Sequence, residues 1–448
     1  MAIYFAEGSP THTLGMDDFL RGLKVSMEAF CKAHGRGVPT KVLAIPPDHT
    51  RMDSQAGPIT RAAYQLLGDR LTDVMPALGT HEAMKEAELQ KMFGDLPREL
   101  IRVHRFKTDV DTLGMVDEAF VERATEGIYK KAWPAQVNRI ISRGGHDLIL
   151  SIGQVVPHEV IGMANYTKNI FVGTGGNEGI DDSHYLSALY GCERIMGRCD
   201  NPLRRILNRG AEMFLTPYPI LYVLTVVEST DHSGPVVRGL FIGDDHSVFF
   251  QAGDLSARVN CFRLDRAPQK VVVWMDPAKY KKTWVGNKAI YRTRMAVADG
   301  GTIVVVAPGV NRFGEHDEGD ALIREHGYRT TKEILEGTRT HEALGRNLSI
   351  AAHLIYGSPD GRFNVEYCPG GLSKEEIEGV CYGYGDWREA MERYRIEGLT
   401  DGWHRTADGE EYYFVRNPGL GLWMHRGHRH AFEQQERAYG SRELEGES

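Results

Sequence analysis

Residues 41–51, KVLAIPPDHTR, and 147–159, DLILSIGQVVPHE, decide the fold. Each is a short, unbroken apolar run that passes through Pro or Gly into polar, chemistry-bearing residues, which is how a strand buried on both faces reads. Around them the period changes to that of helices. Phe19, Leu20, Leu23, Met27, Phe30 and Cys31 recur at helical spacing, and Gly35 follows as a stop. After Pro58 a second stripe runs through Ile59, Ala62, Ala63, Leu66, Leu67 and Leu71, and VMPALG (74–79) leads into a polar helix from Glu82 to Phe93. Strand, loop and helix in alternation predict an α/β architecture with largely parallel sheets.

The pattern shifts in mid-chain. ILYVLTVVEST (220–230) and VVRGLFIGDDHSVFF (236–250) are long β-branched runs, expected to pair in part as antiparallel strands. Beyond Ala267-Pro268, KVVVWMD (270–276), a helical stretch from Ala278 to Ala298 and GGTIVVVAPG (300–309) have the length of a parallel crossover unit. Two α/β domains are therefore expected: 1–267 together with the aromatic tail 401–448, and 268–400. A chain of 448 residues suits that number at about 100–200 residues per domain.

Composition narrows the function. With 42% hydrophobic and 25% charged residues the chain is globular, and 53 Lys and Arg against 61 Asp and Glu leave a net charge of −8. No basic footprint for nucleic acid is present. The most apolar run, Phe214 to Val227, carries Pro217 and Pro219 and is too short to span a bilayer, so no membrane partner is expected. The opening MAIYFAEGSP has neither a basic nor an apolar signal segment, and the six cysteines include no CxxC pair. Both features point to the cytoplasm.

Ligands of open α/β sheets sit beyond the carboxyl ends of the strands. Three such ends are unusual here: one carries Asp48, His49, Thr50 and Arg51, the next Thr80 and His81, the third His158. Any one of these residues alone reads as a helix cap or a structural histidine. Together, two imidazoles, a carboxylate and an arginine on one sheet edge read as acid/base groups beside an anion clamp. Downstream come Lys168, the glycines 173, 175, 176 and 179, and His184. The glycines follow GxGxxxG and not GxGxxG, so no dinucleotide fingerprint is present, and a phosphate cradle and a plain turn stay open as readings.

The ordered set DxTR, ALGTH, VPHE, a lysine ten residues after that histidine and a further histidine sixteen residues on resembles the lactate racemase family. Lys288 followed by Gly300-Gly301 and an apolar strand is similar to that family's second-domain segment. The resemblance implies a nickel-pincer nucleotide, a pyridinium-3,5-bisthiocarboxylic acid mononucleotide holding nickel, made by dedicated cofactor biosynthesis enzymes. It implies Lys168 as the lysine joined to that cofactor and His184 as a nickel ligand. His81 and His158 become the two acid/bases, Arg51 the holder of the substrate carboxylate, Asp48 an orienting group, and Lys288 a contribution from the second domain to a cleft between domains. Where the family pattern has Tyr, this chain has Trp284, and the glycine-rich approach to the lysine is replaced by ANYTK, with Asn165 and Tyr166 as candidate substrate-pocket residues. Those departures point away from lactate to a larger hydroxy acid such as an aldonate. Three other readings are a nickel-pincer dehydrogenase, a zinc hydrolase or lyase built on His81, His158 and His184, and a non-catalytic carrier of the cofactor. The GDDHS segment (243–247) reads as a turn between strands, and HRGHRH (425–430) as a solvated patch.

Overall fold

The computed structural model describes residues 2–230 and 234–428. The chain divides into two compact units, 1–189 with 196–260, and 190–195 with 261–448. Among the described residues no helix is long and apolar enough to cross a membrane.

The first unit is built on a six-stranded mixed sheet. Its order is Ile3–Gly8, Gly234–Gly243, Ile220–Thr230, Leu148–Gln154, Val42–Ile45 and Leu71–Val74. The last four strands run parallel, and the first two join antiparallel at one edge. Every residue of Val42–Ile45 and Leu148–Gln154 is buried, as unbroken apolar runs require of central strands. The amphipathic helix Met16–Ala33 buries Phe19, Leu23, Met27, Phe30 and Cys31 and ends where Gly35 takes φ +60°.

The second unit carries its own sheet, in the order Gly383–Tyr384, Asn364–Pro369, Thr302–Ala307, Lys270–Trp274, Glu411–Val415 and Gly402–Arg405. All neighbours are parallel except the last pair. Lys270–Trp274 and Thr302–Ala307 lie side by side in parallel, as a crossover unit demands.

Four expectations need correction. The described part of the tail belongs to the second unit: Tyr413, Phe414 and Val415 pair with Val271, Val272 and Val273, because an aromatic β-run finds an open edge of the second sheet; residues 429–448 lie outside the described residues. Leu71 leaves the helical stripe, which ends at Leu67, and starts a strand; the polar helix after VMPALG spans only Glu86–Phe93. The stretch 278–298 is not one helix but two short ones, Thr283–Gly286 and Lys288–Thr293. GDDHS does not link two strands; His246 opens the helix His246–Asn260, with the Asp245 carboxylate accepting from the Ser247 N–H.

Candidate active site

Three parallel strands bring their carboxyl ends to one edge of the first unit. Just beyond them two loops run side by side: the Ala77 N–H donates to the Pro46 carbonyl at 2.8 Å, and Pro47 and Ala77 form a parallel bridge. This coupling delivers His81 to Asp48 across 33 residues of sequence. Nδ1–H of His81 donates to Oδ2 of Asp48 at 2.6 Å, while Oδ1 of Asp48 accepts from the amide (3.1 Å) and hydroxyl (2.5 Å) of Thr50. Burial alone would raise the Asp48 carboxyl. The charge and hydrogen bond of His81, the Thr50 bond and the charge of Arg51 outweigh it and hold the group well below the usual carboxylate range. With Nδ1 committed to a carboxylate, the lone pair of neutral His81 lies on Nε2.

His158 is set the other way. It lies in a two-residue strand paired with Gly162–Met163, and its Nδ1 accepts from the Val160 N–H at 3.1 Å. A backbone amide can only donate, so the ring proton of neutral His158 is on Nε2. His81 thus offers an acceptor and His158 a donor, an asymmetry the two residue names do not reveal.

Lys168 lies on the short helix Thr167–Phe171. Asn169 ties that helix to the strand ends, donating through Nδ2 to the Ile45 carbonyl and to the Ser151 hydroxyl, both at 3.0 Å. His184 lies on Asn177–Tyr190, and its Nδ1–H donates to the Ile180 carbonyl at 2.7 Å. Desolvation, with the positive charges of Lys168 and His81, pushes the His184 imidazole down to about 4 despite the helping Ile180 bond. The ring is therefore neutral at physiological pH, with its lone pair on Nε2.

The approach to Lys168 is unusual. Asn165 and Tyr166 both have positive φ, +70° and +59°, and Tyr166 combines it with ψ −130°, a conformation that side-chain-bearing residues rarely adopt. Such residues cost on the order of 1–3 kcal/mol each and persist only where the surroundings enforce them. Tyr166 does not present its hydroxyl as an unengaged group for a ligand. Its ring packs against Tyr222 (centroids 4.2 Å apart) and Phe249 (5.4 Å), and its hydroxyl bonds Nδ1 of His246 at 2.9 Å. The Asn165 carbonyl accepts from Arg204, and its side-chain oxygen accepts from the Tyr166 amide at 2.7 Å.

The glycine cluster resolves toward packing. A Cβ on Gly175 would strike the Phe171 carbonyl, and one on Gly173 the Asn169 carbonyl and Ala77. The Gly175 carbonyl accepts from buried His104.

Trp284 and Lys288 belong to the second unit. Trp284 packs its ring on His353 at 4.6 Å. His353 in turn bonds the Tyr291 and Tyr328 hydroxyls, each at 2.9 Å, and Tyr328 meets Thr283 at 2.9 Å. Lys288 opens the neighbouring helix Lys288–Thr293. Sequence reasoning missed this tyrosine–histidine chain, and it missed Arg204. The one available signal for Arg204 was its place among the apolar positions Leu203, Ile206, Leu207 and Gly210 of a helix. His425 and His428 stack edge to face at 4.7 Å, and His428 lies 3.6 Å from Glu193; His430, at the end of the HRGHRH run, lies outside the described residues.

Residues 33–194, which contain Asp48, His81, His158, Lys168 and His184, match the lactate racemase N-terminal domain model. Over this stretch the chain is similar to the lactate racemase family. Two solved structures resemble this chain across nearly its whole length. A crystal structure of a protein from Thermotoga maritima superposes with a TM-score of 0.75 at 24% identity, covering 92% of this chain and all of the other. The lactate racemase apoprotein from Thermoanaerobacterium thermosaccharolyticum gives 0.62 at 13% identity, covering 92% and 93%. At these identities the likeness is one of fold. A comparison with curated proteins gives no match. Among the described residues no group of three or more His, Cys, Asp or Glu side chains is placed to hold a metal ion.

Proposed function

We propose that this chain, which carries a match to the lactate racemase N-terminal domain, is a racemase or epimerase of 2-hydroxy acids that works with a nickel-pincer nucleotide. The observation that carries the reading is the Asp48–His81 pair on the sheet edge shared with His158, two imidazoles held in opposite tautomers, with Nε2 of His81 a hydrogen-bond acceptor and Nε2–H of His158 a hydrogen-bond donor.

The chemistry explains why histidines alone do not suffice. A substrate hydroxyl with a pKa of about 16, like water, lies roughly 9 units above imidazole, a mismatch of about 12 kcal/mol. Proton removal becomes feasible only when hydride leaves C2 at the same time. When bound, the nickel-pincer nucleotide supplies the hydride acceptor and donor. His81, oriented by Asp48, takes the hydroxyl proton through Nε2. The Arg51 guanidinium, whose planar fork matches a carboxylate, holds the substrate's charged end. The planar 2-oxo acid turns over within the site, and His158, in its imidazolium form, supplies the proton to its oxygen on the other face, so that each ring cycles between imidazole and imidazolium.

The residues fit the cofactor. A metal ligand must be a neutral imidazole, and His184 is kept neutral with its lone pair on Nε2. Lys168, whose charge acts on that ring, supplies the amine for a thioamide. Trp284 in place of a tyrosine removes a hydroxyl and adds bulk, and favours a polyhydroxylated acid such as an aldonate over lactate.

The test uses a 2-deuterated hydroxy acid. Hydride return keeps the deuterium at C2 of both stereoisomers, whereas washout into water would refute the mechanism. A panel from lactate to gluconate-type acids reads substrate size, and turnover of lactate alone would refute the aldonate assignment.

A further inference from the structure

Arg204 is fully buried on the helix Pro202–Phe214, and burial pushes its guanidinium down to about 10, so it remains charged at neutral pH. A buried cation is usually held by a carboxylate. Arg204 instead spends its donors on the backbone just ahead of Lys168. Nη2 donates to the Met163 carbonyl at 2.7 Å and to the Asn165 carbonyl at 3.2 Å; Nη1 donates to the Asn165 carbonyl at 3.2 Å and to the Thr167 hydroxyl at 2.8 Å. Its flat face lies 4.2 Å over the Phe249 ring, the same ring that stacks on Tyr166.

These contacts converge on the two residues with positive φ. Glycine would adopt that backbone without penalty; here Asn165 and Tyr166 carry it. Each also has a reason to stay. The Asn165 amide fills the space above Gly153, where a Cβ would collide with it, and the Tyr166 ring is locked between Tyr222, Phe249 and His246.

We infer that Arg204 and Tyr166 are positioning residues: the guanidinium clamp and the anchored ring impose on Asn165-Tyr166 the turn that glycine would adopt freely, and so set where the Lys168 amine stands. The inference rests on the reading of Lys168 as the cofactor's attachment point. It predicts a partial rescue, since glycine at 165 relieves one of the two positive-φ residues that the clamp holds.

The experiment compares the full-length protein with Arg204→Met and with Arg204→Met/Asn165→Gly, each produced alongside the cofactor biosynthesis enzymes. Two quantities are read: peptide-resolved amide exchange, and the fraction of Lys168 carrying an adduct by peptide mass. Arg204→Met is expected to speed exchange over residues 163–172 by about tenfold or more, leave the rest of the unit unchanged, and lower the adduct fraction. Adding Asn165→Gly is expected to restore part of both. If Arg204→Met does not fold, Tyr166→Phe, which removes only the bond to His246, is expected to speed the same segment by a smaller factor. Unchanged exchange in the variant measured, acceleration spread evenly through the unit, or no rescue by glycine overturns the inference. Unmodified Lys168 in the unaltered protein overturns the attachment reading instead, while the exchange data still decide whether Arg204 holds the segment.

Discussion

Replacing Asp48 by Asn keeps the shape of the side chain and removes its charge, and the geometry sets the size of the effect. In the unaltered protein the carboxylate accepts three hydrogen bonds, two from Thr50 and one from His81 at 2.6 Å. The Thr50 bonds survive in the amide through its oxygen. The group facing Nδ1 of His81 becomes an NH2, which can only donate. The ring must then carry its proton on Nε2, the atom that the proposed mechanism needs to accept the substrate's proton. Loss of a charge-assisted bond is worth about 1.5–3 kcal/mol, or roughly 10- to 150-fold in rate. Where such a change also inverts the tautomer of a catalytic histidine, as in serine proteases, the cost reaches about 10⁴-fold. Asp48→Asn is therefore expected to lower kcat by about 10²- to 10⁴-fold with KM little changed. The assay is the initial rate of stereoinversion by the cofactor-loaded enzyme, resolved by chiral chromatography, with thermal melting to confirm folding. A folded Asn variant with kcat within about fivefold of the parent would refute the assigned role of the Asp48–His81 pair.

Other consequences are equally direct. Burial pushes His104 down to about 4 from an ordinary value near 6.5, so the unfolded chain binds its proton first as pH falls. Its contribution is complete above pH 6.5 and is lost on descent to pH 4, and His104→Gln should shrink the drop in unfolding free energy across that window by about 3 kcal/mol; an unchanged slope would count against it. Gly175→Ala should lower the melting temperature at a cost of about 1–3 kcal/mol, because the new methyl meets the Phe171 backbone; a neutral substitution would reopen the phosphate-cradle reading. Trp284→Tyr should cost about 0.5–1.5 kcal/mol of stability through its lost packing on His353. The same change should raise kcat/KM for lactate relative to a gluconate-type acid by about tenfold, and an unaltered ratio would remove Trp284 from substrate selection.

The sequence made the sheet edges legible because buried parallel strands are short apolar runs, and the residues beyond them, Asp48, Arg51, His81 and His158, fall where such a sheet exposes its ligand side. It could not show that Asp48 and His81 meet. That contact depends on the Pro47–Ala77 bridge, a pairing between distant loops that no local pattern encodes. Leu71 fits a helical stripe and a strand equally well, and only the strand pairing of Val42 with Leu71 decides between them. The expected long helix begins only at Thr283, whose hydroxyl bonds Phe313 and Tyr328, partners far along the chain. The aromatic tail announced that it would be buried but not where, since β-runs carry no address for their neighbour. Arg204 stayed hidden because an arginine on a helix ordinarily faces water, and its carbonyl partners are supplied by a loop some forty residues earlier.

The most direct test is the mass of Lys168. The protein is produced with the cofactor biosynthesis enzymes, measured intact under denaturing conditions, mapped by peptide and assayed for metal. The account predicts an adduct on Lys168 that is absent from Lys168→Ala, with nickel retained by the native protein and lost in His184→Ala. An unmodified Lys168 and no nickel, in a host shown to make the cofactor, would contradict it.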